Sequence, residues 1–403
     1  MPYQRQLPAW WGPPRAFDKP SGDRRISWLE LFYDLVYVMA ISRITRLLTL
    51  RMGIPGLIEY GCLFLLIFWG WLNGSLYYDF HGNEGLRTRL MMLWQMMIVA
   101  ALSVTVGHLY DHGYQPATIT LLVMQLFITY LWWSVGIYDR RHRRLNLPYT
   151  ICYLCAGALM AVSLLLQPSW LAILVPAVLL CNYLPPLISQ TLLQRSRLTA
   201  DLSSSMYERL GLFMMIVFGE VVAGAVNGLG VLSQAGAVSW LSFALMIVIV
   251  FALWWIFFTL TANRQAKKGF YRATLLELLY IPALMALGLI AVCFSRYFGP
   301  GAELSLTLLF TTALAAYFIA ICLMMGQIEY PREVQPVMLP VRASLLVTAI
   351  VFPAAGTLLA GYPVFGVLLT VWIILAGEIL FLNIIYYRLA AKPPDLPPDA
   401  NPG

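Results

Sequence analysis

Apolar and polar positions alternate along this chain on a long scale. Stretches of 18 or more predominantly apolar residues are broken by short clusters of glycine, proline or charged residues. A run of that length crosses the hydrocarbon layer of a bilayer as a helix. Twelve such segments are predicted, at about 27–49, 54–78, 89–110, 117–137, 148–166, 169–188, 208–227, 237–262, 273–298, 304–325, 341–360 and 363–389. Gly53-Ile54-Pro55, Gly299-Pro300-Gly301 and Gly361-Tyr362-Pro363 punctuate the joins, where these residues stop one helix and start the next. The joins near 167 and 361 are so short that their helices must form tight antiparallel hairpins. The pattern predicts an all-α polytopic membrane protein of about 12 transmembrane helices.

The first segment breaks the apolar rule in an ordered way. Glu30 and Asp34 lie four residues apart, so a helix presents them on one face. Ser27, Ser42 and Thr45 fall near the same face, while the others carry Leu, Phe, Val and Ile. A carboxylate in hydrocarbon costs about 2.5–3.5 kcal/mol even on the mild insertion scale, so this strip is expected against protein or a wet cavity.

A counterpart stands near the middle of the chain. A shift of 186 lays Phe32-Tyr33-Asp34-Leu35-Val36 on Phe218-Gly219-Glu220-Val221-Val222. A shift of 185 lays Asp23-Arg24 on Glu208-Arg209, Trp69 on Trp254, Arg87 on Arg272 and Leu90 on Leu275. Agreement over several elements suggests a duplication. An even unit of six helices makes the two halves parallel repeats, related by an axis along the membrane normal. The expected organisation is a tail at 1–26, a first half at 27–188, a linker at 189–206, a second half at 207–389 and a disordered tail at 390–403.

Composition agrees with this reading. Hydrophobic residues make up 60% of the chain and charged ones 11%, against about 25% charged in soluble domains. The net charge of +7 reflects where the basic residues sit and argues for no nucleic-acid partner. Arg140, Arg141, Arg143 and Arg144 lie in the 138–147 loop, and Arg264, Lys267, Lys268 and Arg272 in the 263–272 loop. The tail at 1–26 and the 189–206 linker are also basic, whereas the alternate loops near 111–116, 167–169, 228–236 and 361–362 hold no Lys or Arg. The positive-inside rule then puts the basic set and both termini in the cytoplasm, with the protein in the inner membrane. Arg43, Arg46 and Arg51 dissent, because they sit at the outer end of helix one. The first 26 residues show no apolar core of a signal peptide. Their Trp10-Trp11 pair is expected to rest at the membrane interface.

The two marked segments resemble signatures of the bacterial low-temperature-requirement protein A family. The first is Trp28-Leu29-Glu30-Leu31-Phe32-Tyr33-Asp34-Leu35-Val36. The second is Glu208-Arg209-Leu210-Gly211-Leu212-Phe213, continuing to Val217-Phe218-Gly219-Glu220. Trp69 to Tyr77 and Arg89 to Met96 are similar to the family's second and third helices. Trp254-Trp255 and Leu279-Tyr280-Ile281-Pro282 are similar to its eighth and ninth. The chain departs from the pattern at Ser205 and Tyr280, where the family often has histidines, and at Thr259, where an aspartate commonly stands. The resemblance implies a polytopic membrane protein; the family's name records a growth requirement in the cold, not a molecular activity.

Candidate chemistry rests on carboxylates and one arginine. Asp34 and Glu220 are read as proton- or ion-handling groups between the two halves, at least one of them protonated at neutral pH. The competing reading is a structural ion pair, for instance between Glu220 and Arg209, eleven residues apart on one helix face. Glu30, Glu208 and Arg209 lie near headgroup level, as gate, substrate contact or snorkelling side chains. Glu378, and after it Glu277, are further candidates. Asn73, Asn182, Asn227 and Asn383 either line a path or bond between helices, and Gly224 and Gly228 allow close helix packing. His108 and His112 have no third ligand for a metal, Cys152 and Cys155 read as inert buried thiols, and no phosphate loop or dinucleotide fingerprint calls for a cofactor. The expected partners are the lipid bilayer and a small-molecule or ion substrate. The leading expectation is a secondary transporter or permease, with proton coupling. The alternatives are a membrane-embedded enzyme acting on lipid, and a channel or membrane-stress protein.

Overall fold

A computed structural model of the chain describes residues 26–82, 85–138, 143–189, 203–232, 235–262, 264–299 and 304–390. The expected tails, most of the 189–206 linker, and Arg140 and Arg141 lie outside the described residues. Twelve helices of 13 residues or more are found among them: α1 (Trp28–Leu50), α2 (Ile54–His81), α3 (Leu86–Gly107), α4 (Gln115–Tyr138), α5 (Arg143–Ser163), α6 (Leu171–Tyr183), α7 (Ser204–Gly230), α8 (Ala237–Thr261), α9 (Phe270–Arg296), α10 (Leu304–Met325), α11 (Gln335–Leu358) and α12 (Val364–Ala390). A single helical turn at Leu109–His112 follows α3. Two-residue strands at Gln265–Ala266 and Ile328–Glu329 pair antiparallel and tie the join after α8 to the join after α10.

Among the described residues eleven helical segments are long and apolar enough to cross a membrane, α6 with its flanking turns over Pro168–Ser189. The exception is α1, which has the length but carries Glu30, Asp34, Arg43 and Arg46 within 23 residues. The chain is an all-α polytopic membrane protein, as its hydropathy pattern predicts.

Neighbour relations within residues 28–183 and within residues 204–390 follow one scheme. In the first set α1 packs on α2 and α3, α3 on α4, α4 on α5, α5 on α6, and α2 touches both α4 and α6. In the second, α7 packs on α8 and α9, α9 on α10, α10 on α11, α11 on α12, and α8 touches both α10 and α12. Between the two sets, α1 and α2 each meet α7 and α9. That seam is where the polar strip of α1 goes.

Local sequence explains how α1 is set there. Its start is fixed by a capping box, in which Ser27 Oγ accepts from the Glu30 N–H at 3.3 Å and the Ser27 N–H donates to Glu30 Oε2 at 3.1 Å. Both orphan donors of the first turn are thereby satisfied. Phe32, Leu35 and Met39 form an exposed stripe at helical spacing, and the opposite side, including Tyr33, Asp34, Tyr37, Ile41 and Ile44, is buried. A helix buried on this much of its circumference can carry a carboxylate that lipid would reject.

On the far side of the seam, α7 and α9 approach very closely. A Cβ on Gly224 would stand 2.5 Å from the Ala291 carbonyl oxygen, and one on Gly228 would collide with the carbonyl oxygen of Phe294. Small residues four apart let two backbones touch, as their spacing predicts.

Candidate functional site

Asp34 lies two turns into α1 and is fully buried. Arg209, in the second turn of α7, reaches it across the seam. Its Nη2 donates to Asp34 Oδ1 at 2.6 Å and its Nε lies 3.4 Å from Oδ2. Trp71 of α2 donates its indole N–H to the same Oδ1 at 2.7 Å. The guanidinium carbon sits 5.5 Å from the Tyr33 ring centre and 5.9 Å from that of Trp71. Two aromatic faces thus contact a cation that is 2% exposed, and a desolvated cation–π contact is worth about 2 kcal/mol. Phe213, one turn beyond Arg209, packs on Trp71 at 4.3 Å between ring centres. Three helices and both halves of the chain therefore meet at one ion pair.

The expected Glu220–Arg209 pairing is not the one formed. Glu220 accepts from Ser42 Oγ at 2.8 Å, with the charge of Arg46 in reach. Ser42 is eight residues beyond Asp34 on α1, and Glu220 eleven beyond Arg209 on α7. The two cross-links occur in the same order on both helices, so α1 and α7 run parallel. Asp34 and Glu220 lie on one seam but at levels separated by about 12 Å along α1, at 1.5 Å per residue. At that separation the two carboxyl groups are not neighbours. Arg46 also accounts for one of the basic residues at the C-terminal end of α1: it faces a carboxylate. Arg51 likewise lies 5.8 Å from the Tyr110 ring centre, whose hydroxyl donates to Glu59 at 2.8 Å.

The remaining candidates separate. Glu30 serves the α1 cap. Glu208, beside Arg209 in sequence, turns the other way: it is exposed and lines a groove of ≈ 290 Å³ with Tyr207, Met215, Phe258, Arg264 and Tyr280. Glu378 of α12 is held away from the seam by Ser344 Oγ at 2.7 Å and Thr348 Oγ1 at 2.8 Å, both on α11. His108 pairs with Asp111 at 3.1 Å on the surface. No three His, Cys, Asp or Glu side chains gather as a metal site among the described residues.

Several interior groups escaped the sequence reading. Gln95 of α3 donates to Tyr37 Oη at 2.8 Å and accepts from Tyr78 Oη at 3.3 Å. Gly74 is needed beside them, since a Cβ there would strike Tyr33 Oη. Gln125 and Asn182 exchange hydrogen bonds at 3.0 and 3.2 Å, and Tyr153 donates to Asn73. Asn73 and Asn182 thus bond between helices. Arg87 donates to Tyr77 Oη at 3.3 Å and Ser134 Oγ at 3.0 Å. Asp79, at the end of α2, accepts from Ser205 Oγ at 2.7 Å. Ser205 is one of the two positions where the resemblance leads one to expect histidine.

These features define a polytopic helical membrane protein with an ion pair buried where its two sets of helices meet. Residues 25–377 match the family described as bacterial low temperature requirement A protein (LtrA). The match covers most of the chain, includes both partners of the ion pair, and shows that the chain belongs to that family. No curated protein sequence matches the chain.

Proposed function

We propose that this LtrA-family protein is a secondary transporter or permease of the inner (cytoplasmic) membrane, coupled to proton movement and carrying a small molecule or ion. Its working parts are two parallel six-helix halves, residues 27–188 and 207–389, that move against each other. The repeated neighbour scheme supports a duplication, as does the parallel run of α1 and α7. The matched side chains differ more than the scaffold: Trp69 and Arg87 are buried, while Arg272, aligned with Arg87, is exposed. The basic loops support cytoplasmic termini.

One observation carries the reading: the Asp34–Arg209 pair is buried, spans the seam and is anchored on three helices. For stability alone, well-packed apolar side chains at such a place serve as well or better. A charge pair differs in that a competing charge, brought by substrate or proton, can open it. The transporter reading is preferred to the lipid-acting enzyme because the buried charge pair lies where the two sets of helices meet, a place where relative movement can open it.

The test is flux. The protein is reconstituted in vesicles enclosing a pH-sensitive dye, and an imposed potential or a panel of small solutes is applied. The expected result is a saturable proton signal above empty vesicles that disappears in Arg209→Gln. No signal from monodisperse protein under any of these gradients, or a signal indifferent to Arg209→Gln, would overturn the proposal.

A further inference from the structure

Three of the carboxylates singled out by sequence are provided for. Asp34 has a guanidinium and an indole, Glu220 a hydroxyl and Arg46, and Glu378 two hydroxyls. Glu277 is different. It lies two turns into α9 and is 5% exposed. No hydrogen-bond donor or cation meets its carboxyl group among the described residues. The charge that reaches it most strongly is that of Asp79, which is 6% exposed and comes from α2, across the seam.

The groups around Glu277 can be taken helix by helix. From α2 comes Asp79. From α5 comes the Tyr149 phenol, which feels the Glu277 charge. From α7 come Ser205, bonded to Asp79, and Arg209, whose guanidinium is committed to Asp34. From α9 itself comes Tyr280, with Tyr317 of α10 behind it. Arg87, the other buried arginine among the described residues, is bonded to Tyr77 and Ser134. A buried carboxylate with no donor and no counter-ion is relieved by taking up a proton.

We propose that Glu277 is the proton carrier of this protein, with Asp79 as the positioning residue that governs when the proton is released. The two sit on opposite sides of the seam, so separating α2 from α9 withdraws the Asp79 charge and admits water. The Glu277 O–H bond then breaks, its electron pair staying on the carboxylate and the proton passing to water. Closing the seam on a proton taken from the other side restores the acid. Use of the proton in transport rests on the function proposed above; its presence on Glu277 does not.

The test is infrared difference spectroscopy on the full chain in nanodiscs, which reads the C=O stretch of a protonated carboxyl group and its shift in heavy water. The wild type is expected to show such a band across neutral pH. It should vanish in Glu277→Gln, persist in Glu378→Gln, and persist with an altered frequency in Asp79→Asn. The Asp79 variant keeps the test alive should Glu277→Gln fail to fold. No band in the wild type, or a band untouched by both Glu277→Gln and Asp79→Asn, overturns the proposal. So does a band abolished by sodium chloride but not by choline chloride, which would make the occupant a metal cation. Proton flux without a Glu277 band refutes this inference and spares the transporter; a Glu277 band without flux does the reverse.

Discussion

Arg209→Met removes the only cation on Asp34 and leaves a carboxylate with zero exposure held by the Trp71 indole alone. Breaking a buried pair from one side costs about 3–5 kcal/mol, because the surviving charge is stranded. Asp34→Asn strands the other partner, but less severely. The guanidinium keeps the Tyr33 and Trp71 ring faces at 5.5 and 5.9 Å, and the amide oxygen can still accept from Trp71. Its expected cost is therefore smaller by the ~2 kcal/mol that desolvated cation–π contacts provide. The double variant Asp34→Asn/Arg209→Met leaves no charge and keeps the indole bond. Since apolar replacement of a whole buried pair is often neutral or better, it should be more stable than Arg209→Met alone by about 2 kcal/mol or more. Fluorescence-detected size exclusion after graded heating ranks the variants by melting midpoint. If the double variant melts no higher than Arg209→Met, stranded charge is not the source of the loss, and the site acts by packing.

Four other outcomes are expected. Gly228→Val places a side chain into the Phe294 carbonyl and should abolish monodisperse protein or lower its melting midpoint sharply in the same assay, whereas Gly219→Ala, with open space at its Cβ, should change little. Trp71→Phe removes one hydrogen bond to a charged acceptor and should cost about 1.5–3 kcal/mol, read by the same heating series. Glu378→Gln keeps an acceptor for Ser344 or Thr348 and should leave both stability and dye-reported flux near wild type. In a cysteine-free background, a cysteine at position 114 should be labelled from outside intact cells and one at position 142 should not; the reverse would invert the topology.

Much of the fold is legible in hydropathy, because a helix in lipid must be apolar over its length whatever it packs against. The α1 strip was also legible, since Glu30 and Asp34 repeat at the helical period. What spacing along one chain cannot give is the rotation of one helix relative to another. Arg209 and Glu220 share a helix face at eleven residues, yet Arg209 turns to Asp34 on α1 and Glu220 to Ser42. Asp79 and His81 were missed for a different reason. Hydropathy ends helix two near residue 78, but α2 continues to His81 and stops only at Gly82. Polar residues in that last turn resemble a loop until α7 is seen to meet Asp79 and α4 to meet His81. The paired strands after α8 and α10 have no sequence signal at two residues each.

The glycine contact between α7 and α9 has a mechanical consequence. Two backbones in van der Waals contact through Gly224 and Gly228 cannot slide or tilt independently, so α7 and α9 act as one stiff lever. Arg209 rides on one arm of that lever and Glu277 on the other, while their partners, Asp34 and Asp79, ride on α1 and α2. A displacement that pulls Arg209 from Asp34 must also draw Glu277 from Asp79. In the transporter proposed above, a single stroke of the lever would then address both the ion pair and the proposed proton store, and tight stoichiometry would be a property of helix contact rather than of any signalling between the two sites.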